Sequence, residues 1–126
     1  MAIKYTVNEK NNALQPQQPK KWYAGAKSTG DVTLRALSKE IAARSTVSPA
    51  DTYAALVGLT EVLVERLADG KIVRFGDFGA FQVSISSEGA ESAEKFTPSL
   101  IKGGKVIFRP GVDLKEMLNN LKFEKF

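Results

Sequence analysis

The apolar positions of this chain change period along its length, and each change marks an element. From Phe81 to Ser86 they alternate strictly, with Phe81, Val83 and Ile85 on one side and Gln82, Ser84 and Ser86 on the other. A period of two predicts a half-buried strand. The run before it, Ile72, Val73 and Phe75, is also strand-like, and Gly76-Asp77-Phe78-Gly79 separates the two. Glycine, and less readily aspartate, takes the positive φ of a tight turn, so Lys71 to Phe81 predicts a hairpin. Phe75, Phe78 and Phe81 give one face a large apolar surface. A lone hairpin is marginal in water, so helices or a second chain must cover that face.

Upstream the period is helical. Leu34, Leu37, Ile41 and Ala42 recur at three and four residues and predict a helix over Asp31 to Arg44, with Asp31 or Thr33 as N-cap. Ser48-Pro49-Ala50-Asp51 opens a second helix, with Ser48 as N-cap, Pro49 at the first helical position and Asp51 at the third. Its stripe runs Tyr53, Leu56, Val57, Thr60, Leu63, Val64 and Leu67, and Gly70 ends it. Leu59 and Val62 lie outside that stripe. One short helix and one hairpin cannot cover so broad an apolar face, which predicts a dimer with the long helices facing each other.

Downstream, residues 84–98 are polar and predict a hairpin extension with a mobile tip. Residues 100–108 return as a third strand, with Val106 and Phe108 sharing a face. Arg109-Pro110-Gly111 breaks that strand, and Val112 to Asn120 forms a short helix with Leu114, Met117 and Leu118 inward. The tail from Leu121 either packs through Phe123 and Phe126 or frays. At the other end, Ile3, Tyr5 and Val7 alternate with polar residues and predict a strand. A loop carrying Pro16 and Pro19 follows, and Lys21 to Ala24 returns as a second strand before a joint at 25–30. The expected class is α+β: an extra N-terminal β-hairpin over residues 1–30, then a domain over 31–126 with two helices, a three-stranded antiparallel sheet and a closing helix.

Charge sharpens this picture. The net charge is +4, and residues 1–30 carry five lysines against Glu9, so the extension alone accounts for it. Two readings of the extension stand. One is a basic arm in which Lys20 and Lys21 meet phosphate and Trp22 and Tyr23 stack on bases. The other is an edge hairpin whose lysines discourage aggregation. With no cysteine and no histidine, the chain lacks thiolate chemistry, the usual general base and the commonest metal ligand. No apolar run nears the roughly 18 residues of a membrane span, and the start lacks the apolar core of a signal peptide. The expected location is cytoplasmic, with no membrane or small-molecule partner. Asp77-Phe78-Gly79 copies a kinase tripeptide without the loops that give it meaning. Gly103-Gly104-Lys105 lacks the first glycine and the hydroxyl of a P-loop. Glu61/Glu65 and Asp113/Glu116 lie on helix surfaces. Nothing here supports an enzyme, and no cofactor is expected.

The stretch L-A-D-G-K-I-V-R-F-G-D-F-G-A-F and, after 26 intervening residues, F-R-P-G-V-D-L-K-E resemble the bacterial histone-like HU/IHF family. The resemblance covers about residues 31–120, and the N-terminal thirty residues resemble a divergent branch that carries such extensions. It implies an intertwined homodimer with a concave sheet saddle and two β-arms around double-stranded DNA, that is, a largely sequence-nonspecific, nucleoid-associated architectural protein that condenses DNA. Phe78, Phe81 and Phe108 match the family's aromatic dimer core, and Arg109 and Lys115 match positions that face phosphate. Lys71, Arg74, Lys95, Lys102 and Lys105 complete the expected basic surface. On an ideal strand Lys102 and Lys105 take opposite faces, and a bulge at Gly103-Gly104 would change that. The arm departs from the pattern: Glu88, Glu91 and Glu94 outnumber Lys95, and no Arg-Asn-Pro wedge occurs. Phosphate repels an acidic tip, so the alternative is an HU-fold protein-interaction module with little DNA affinity. Dimerisation is testable by itself: light scattering at micromolar concentration should return twice the chain mass of 13.7 kDa, and a monomer mass would refute it.

Overall fold

A computed structural model describes residues 1–11 and 13–126. It is a mixed α+β fold of three helices and two three-stranded sheets. The chain divides into two compact units, one of residues 1–33 with 117–126 and one of residues 34–116.

In the larger unit, α1 (Leu34–Ala43) and α2 (Pro49–Ala68) pair as a helical hairpin. The first helix starts three residues later than Asp31. The start of α2 follows its cap residues. The Ser48 hydroxyl accepts from the Asp51 N–H at 3.1 Å, and Pro49 stands at the first turn, where a missing N–H costs nothing. Its end is a Schellman motif: Gly70, at φ +79°, donates to the Leu67 carbonyl and Lys71 donates to that of Arg66. Where the helices meet, the guanidinium of Arg35 lies 4.7 Å from the Tyr53 ring centre. The two buried hydroxyl side chains, Ser38 and Thr52, each bond a carbonyl one turn back, so neither is left unsatisfied.

The sheet of this unit has the order β3 (Val73–Arg74), β4 (Gly79–Ser87), β5 (Ile101–Pro110), all antiparallel. The β3–β4 turn runs from Phe75 to Phe78, whose N–H donates to the Phe75 carbonyl at 3.0 Å. Gly76 sits at φ +54° and Asp77 does not share the positive φ, the signature of a type II′ turn. The third strand extends through Arg109 and Pro110, so the break falls at Gly111 and not at Arg109. Proline is accommodated there because β5 is an edge strand of its sheet.

The end of β5 and the helix α3 (Val112–Asn119) are locked to that turn. Gly111 donates to the Phe78 carbonyl at 2.8 Å, and Asp113 donates to the Asp77 carbonyl at 3.1 Å. Both glycines at this junction are spatially required. A Cβ on Gly79, which is at φ +151°, would lie 2.5 Å from the Arg109 carbonyl oxygen and 2.7 Å from the Phe108 ring. A Cβ on Gly111 would collide with the Asp77 carbonyl.

The smaller unit is built from both chain ends. The strand β1 (Ile3–Lys10) pairs antiparallel with β2 (Lys21–Lys27) and parallel with β6 (Phe123–Lys125). Residues 117–126, expected to belong with the second domain, instead sit with the N-terminal hairpin. The tail neither frays nor packs by side chains alone. It satisfies the open edge of β1, with Ile3 donating to the Lys122 carbonyl and Phe126 to that of Tyr5. The second strand also runs on to Lys27, so the joint after it begins at Ser28.

No hydrophobic side chain among the described residues is fully buried. Val62 and Val64 on α2 are 53% and 67% exposed. Within the larger unit α1 lies against α2, and α2 touches β3 and β4, yet the apolar faces stay partly open.

The Gly79 junction gives a quantitative expectation. Gly79→Ala should lower stability by about 2–4 kcal/mol, from backbone strain and overpacking together. Gly89→Ala, with open space around it, should change the thermal midpoint little. Equal midpoints for the two variants would rule out the tight junction.

Candidate nucleic-acid interface

Strand register sorts the side chains of the β3–β4–β5 sheet. Val73 pairs with Phe81, Phe81 with Phe108, and Val83 with Val106, so these share one face. On that face Phe81 and Phe108 have ring centres 4.7 Å apart, and Phe78 lies 5.5 Å from Phe108. Phe75 joins them, 5.5 Å from Phe81 and 6.1 Å from Phe78. The expected trio is therefore a quartet. The sequence had already set Phe75 on the apolar face with Phe78 and Phe81, though not in the cluster with Phe108. Phe78 remains 44% exposed and Phe108 36%, so the cluster is only half covered by its own chain.

The opposite face is basic. Arg74 pairs with Ala80, Arg109 also pairs with Ala80, and Lys105 pairs with Ser84, which sets all three cations on one side. Lys102 reaches the same region through an irregularity. Ser86 pairs with Gly103, but the next residue, Ser87, pairs with Ile101, so Lys102 is the extra residue of a bulge. Gly103 stands at φ +155° there. Lys102 and Lys105, apart on an ideal strand, line one shallow concavity of about 440 Å³ with Ser84 and Ser86. Among the described residues no ion pair involves Arg74, Lys102, Lys105 or Arg109. Four cations with no internal counter-charge leave a positive field over a strip of small polar side chains.

The remaining expected contacts are dispersed. Lys71 follows the capped end of α2, outside the strand pairing. Lys115 lies in α3, one turn after Gly111. Lys95 is held by Glu91 at 2.8 Å, one helical turn away. The arm between β4 and β5 closes its ladder at Ser87–Ile101, with one more bond from Glu88 to the Leu100 carbonyl. Beyond that it holds two short 3-10 turns, Ala93–Lys95 and Pro98–Leu100, in place of extended strand. Pro98 and the Thr97–Ser99 hydroxyl pair, 2.7 Å apart, favour such a turn over a ladder.

In the smaller unit Lys20 precedes β2 and Lys21 and Trp22 occupy opposite faces of it. Trp22 is across from Glu9, in line with Val7 and Tyr5, so it does not join Lys21 in one contact surface. Among the described residues no group of His, Cys, Asp and Glu side chains is placed to hold a metal, and no helix is long and apolar enough to cross a membrane.

Residues 1–125 match the sequence model of a family described as an HU domain fused to a wHTH, Ig or glycine-rich motif, so the match takes in the N-terminal hairpin and nearly all of the tail. Among solved structures, one described as a "Putative bacterial DNA binding protein" from Bacteroides vulgatus ATCC 8482 superposes with a TM-score of 0.66 at 13% identity. The alignment covers 99% of this chain and 48% of that one, so the chain spans about half of its length. No curated protein sequence matches the chain.

Proposed function

The chain belongs to the family of HU domains fused to wHTH, Ig or glycine-rich motifs, and from that premise we propose that it binds double-stranded DNA as a homodimeric, largely sequence-nonspecific architectural protein of the nucleoid. The observation that carries this reading is the unpaired basic strip of Arg74, Lys102, Lys105 and Arg109 on the face opposite the phenylalanines. Phosphate contacts supply most of the affinity of nonspecific binding, and they need cations without internal partners. The B. vulgatus protein, described as DNA-binding and sharing this fold, supports the same assignment.

The uncovered apolar surface supports the dimer. Among the described residues no hydrophobic side chain is fully buried, so a second copy has an apolar face to cover at the interface. The broad face of α2 and the half-exposed phenylalanine quartet are its natural seat, since burial is worth about 25 cal/mol per Å² of apolar surface. In such a dimer two basic strips form one saddle that takes up and condenses duplex. The arm contributes little, because its one lysine is committed to Glu91 and Glu88 and Glu94 face phosphate uncompensated.

That acidic arm is also the observation favouring a second reading, an HU-fold protein-interaction module. Fluorescence anisotropy with labelled duplex across a salt series separates the two. Eight cations per dimer give an expected slope of about −7 in log K against log salt. Changing Lys102, Lys105 and Arg109 together to Glu should reduce that slope to about −2 and abolish binding at moderate salt, with an unchanged circular-dichroism spectrum. A triple variant that binds with the native slope would defeat the assignment of this face. No binding by the native protein at low salt would favour the interaction module.

A further inference from the structure

The sheet at the chain ends also segregates its charges, and among the described residues the cost of this segregation is only partly compensated. Lys4 pairs with Lys27 and Lys10 pairs with Lys21, so four lysines occupy one face of the β1–β2 hairpin. Like charges directly opposite each other on adjacent strands destabilise a sheet. One of the two pairs is compensated. Lys4 bonds Glu124 at 2.8 Å, and the Lys27 ammonium lies 5.6 Å from the Phe126 ring centre. Lys10 and Lys21 have no such ion pair among the described residues. Edge protection against aggregation needs a lysine on an edge strand, and it does not require a second lysine facing it on central β1.

The same face carries an aromatic ring. Tyr23 pairs with Asn8 between the two lysine pairs and is 49% exposed. On β2 the face reads Lys21, Tyr23, Gly25, Lys27 at steps of about 6.6 Å. Gly25 leaves open space beside the ring, since a Cβ there would meet nothing within 4 Å. Trp22, the larger aromatic, is 64% exposed but on the other face, with Val7, Ala24 and Glu9 and away from the four lysines. A sheet face with a half-exposed ring between cations is an arrangement that receives unstacked bases, with the lysines on the flanking phosphates. A duplex offers the ring no base, because its bases are already stacked.

We infer that this face, through Tyr23, Lys10, Lys21 and Lys27, is a second nucleic-acid site that takes single-stranded DNA or RNA. It lies wholly within the unit formed by the chain ends and is independent of the duplex-binding strip. One platform of this kind holds a few nucleotides, and the aromatic contact is the part that distinguishes it from a general positive field.

The test uses the full-length chain carrying Glu at 102, 105 and 109, so that the other face is silent. Labelled 15-nucleotide oligothymidylate and oligouridylate serve as probes in anisotropy, and the two arms separate DNA from RNA. Tyr23→Ala should weaken binding roughly tenfold, and Tyr23→Phe should retain it. Trp22→Ala should stay within about twofold, because its ring is on the other face. Lys10→Glu with Lys21→Glu should weaken binding at least as much as Tyr23→Ala, and since it removes a like-charge contact it decides the matter even if Tyr23→Ala disturbs the hairpin. Loss of the duplex site with oligothymidylate binding intact supports the inference and leaves the duplex assignment to its own test. Native affinity in the Lys10/Lys21 variant, an equal loss in Trp22→Ala, or displacement of the oligonucleotide by polyglutamate as readily as by unlabelled oligothymidylate would overturn it.

Discussion

Two backbone hydrogen bonds hold the larger unit in register. Gly111 and Asp113 donate to the Phe78 and Asp77 carbonyls, so the start of α3 is fastened to the turn between β3 and β4. The contact is possible because neither Gly79 nor Gly111 has a side chain where the segments meet. Two distant motifs, G-D-F-G and F-R-P-G, are thereby parts of one junction. It fixes the end of β5, and through the strand period it fixes which face each residue of β5 occupies. Phe108 goes to the aromatic side, and Arg109 and Lys105 go to the other.

From that junction the two faces acquire opposite physical roles. On the aromatic face Phe78 and Phe108 stay partly exposed, and among the described residues no hydrophobic side chain is fully buried. The basic face is likewise unfinished, because its cations lack internal counter-charges. On the proposed reading the first face is covered by a second copy and the second by DNA phosphate. The arm differs in kind: it satisfies its own lysine with Glu91 and folds into short turns.

Both units use the same device, a small sheet with charge on one side and aromatic or aliphatic surface on the other. In the smaller unit, the strand from the far end of the chain completes the sheet and supplies Glu124 against Lys4. The N-terminal hairpin therefore depends on the last residues of the chain for both an edge and a counter-charge.

Local chemistry was enough to determine much of this protein. The Ser48-Pro49 start and Gly70 end of α2 rest on capping within a few residues, and the turn at Gly76 rests on a single positive φ, so both places were legible in the sequence, though not the type of the turn. Legible too was the alternation that set Phe81 with Val83 and Val106 with Phe108, whereas the pairing of Phe81 with Phe108 needed the register of β4 against β5. What required the tertiary structure was whatever depended on a distant partner. The parallel pairing of β6 with β1 joins residues about 120 positions apart, and no local pattern in three residues announces it. Phe75 was legible on the apolar face but became a member of the cluster only when the turn brought Phe78 and Phe108 against it. The face of Lys102 was undecidable from the strand alone, because a one-residue bulge inverts every side chain beyond it, and only the pairing of Ser87 with Ile101 says where that residue falls.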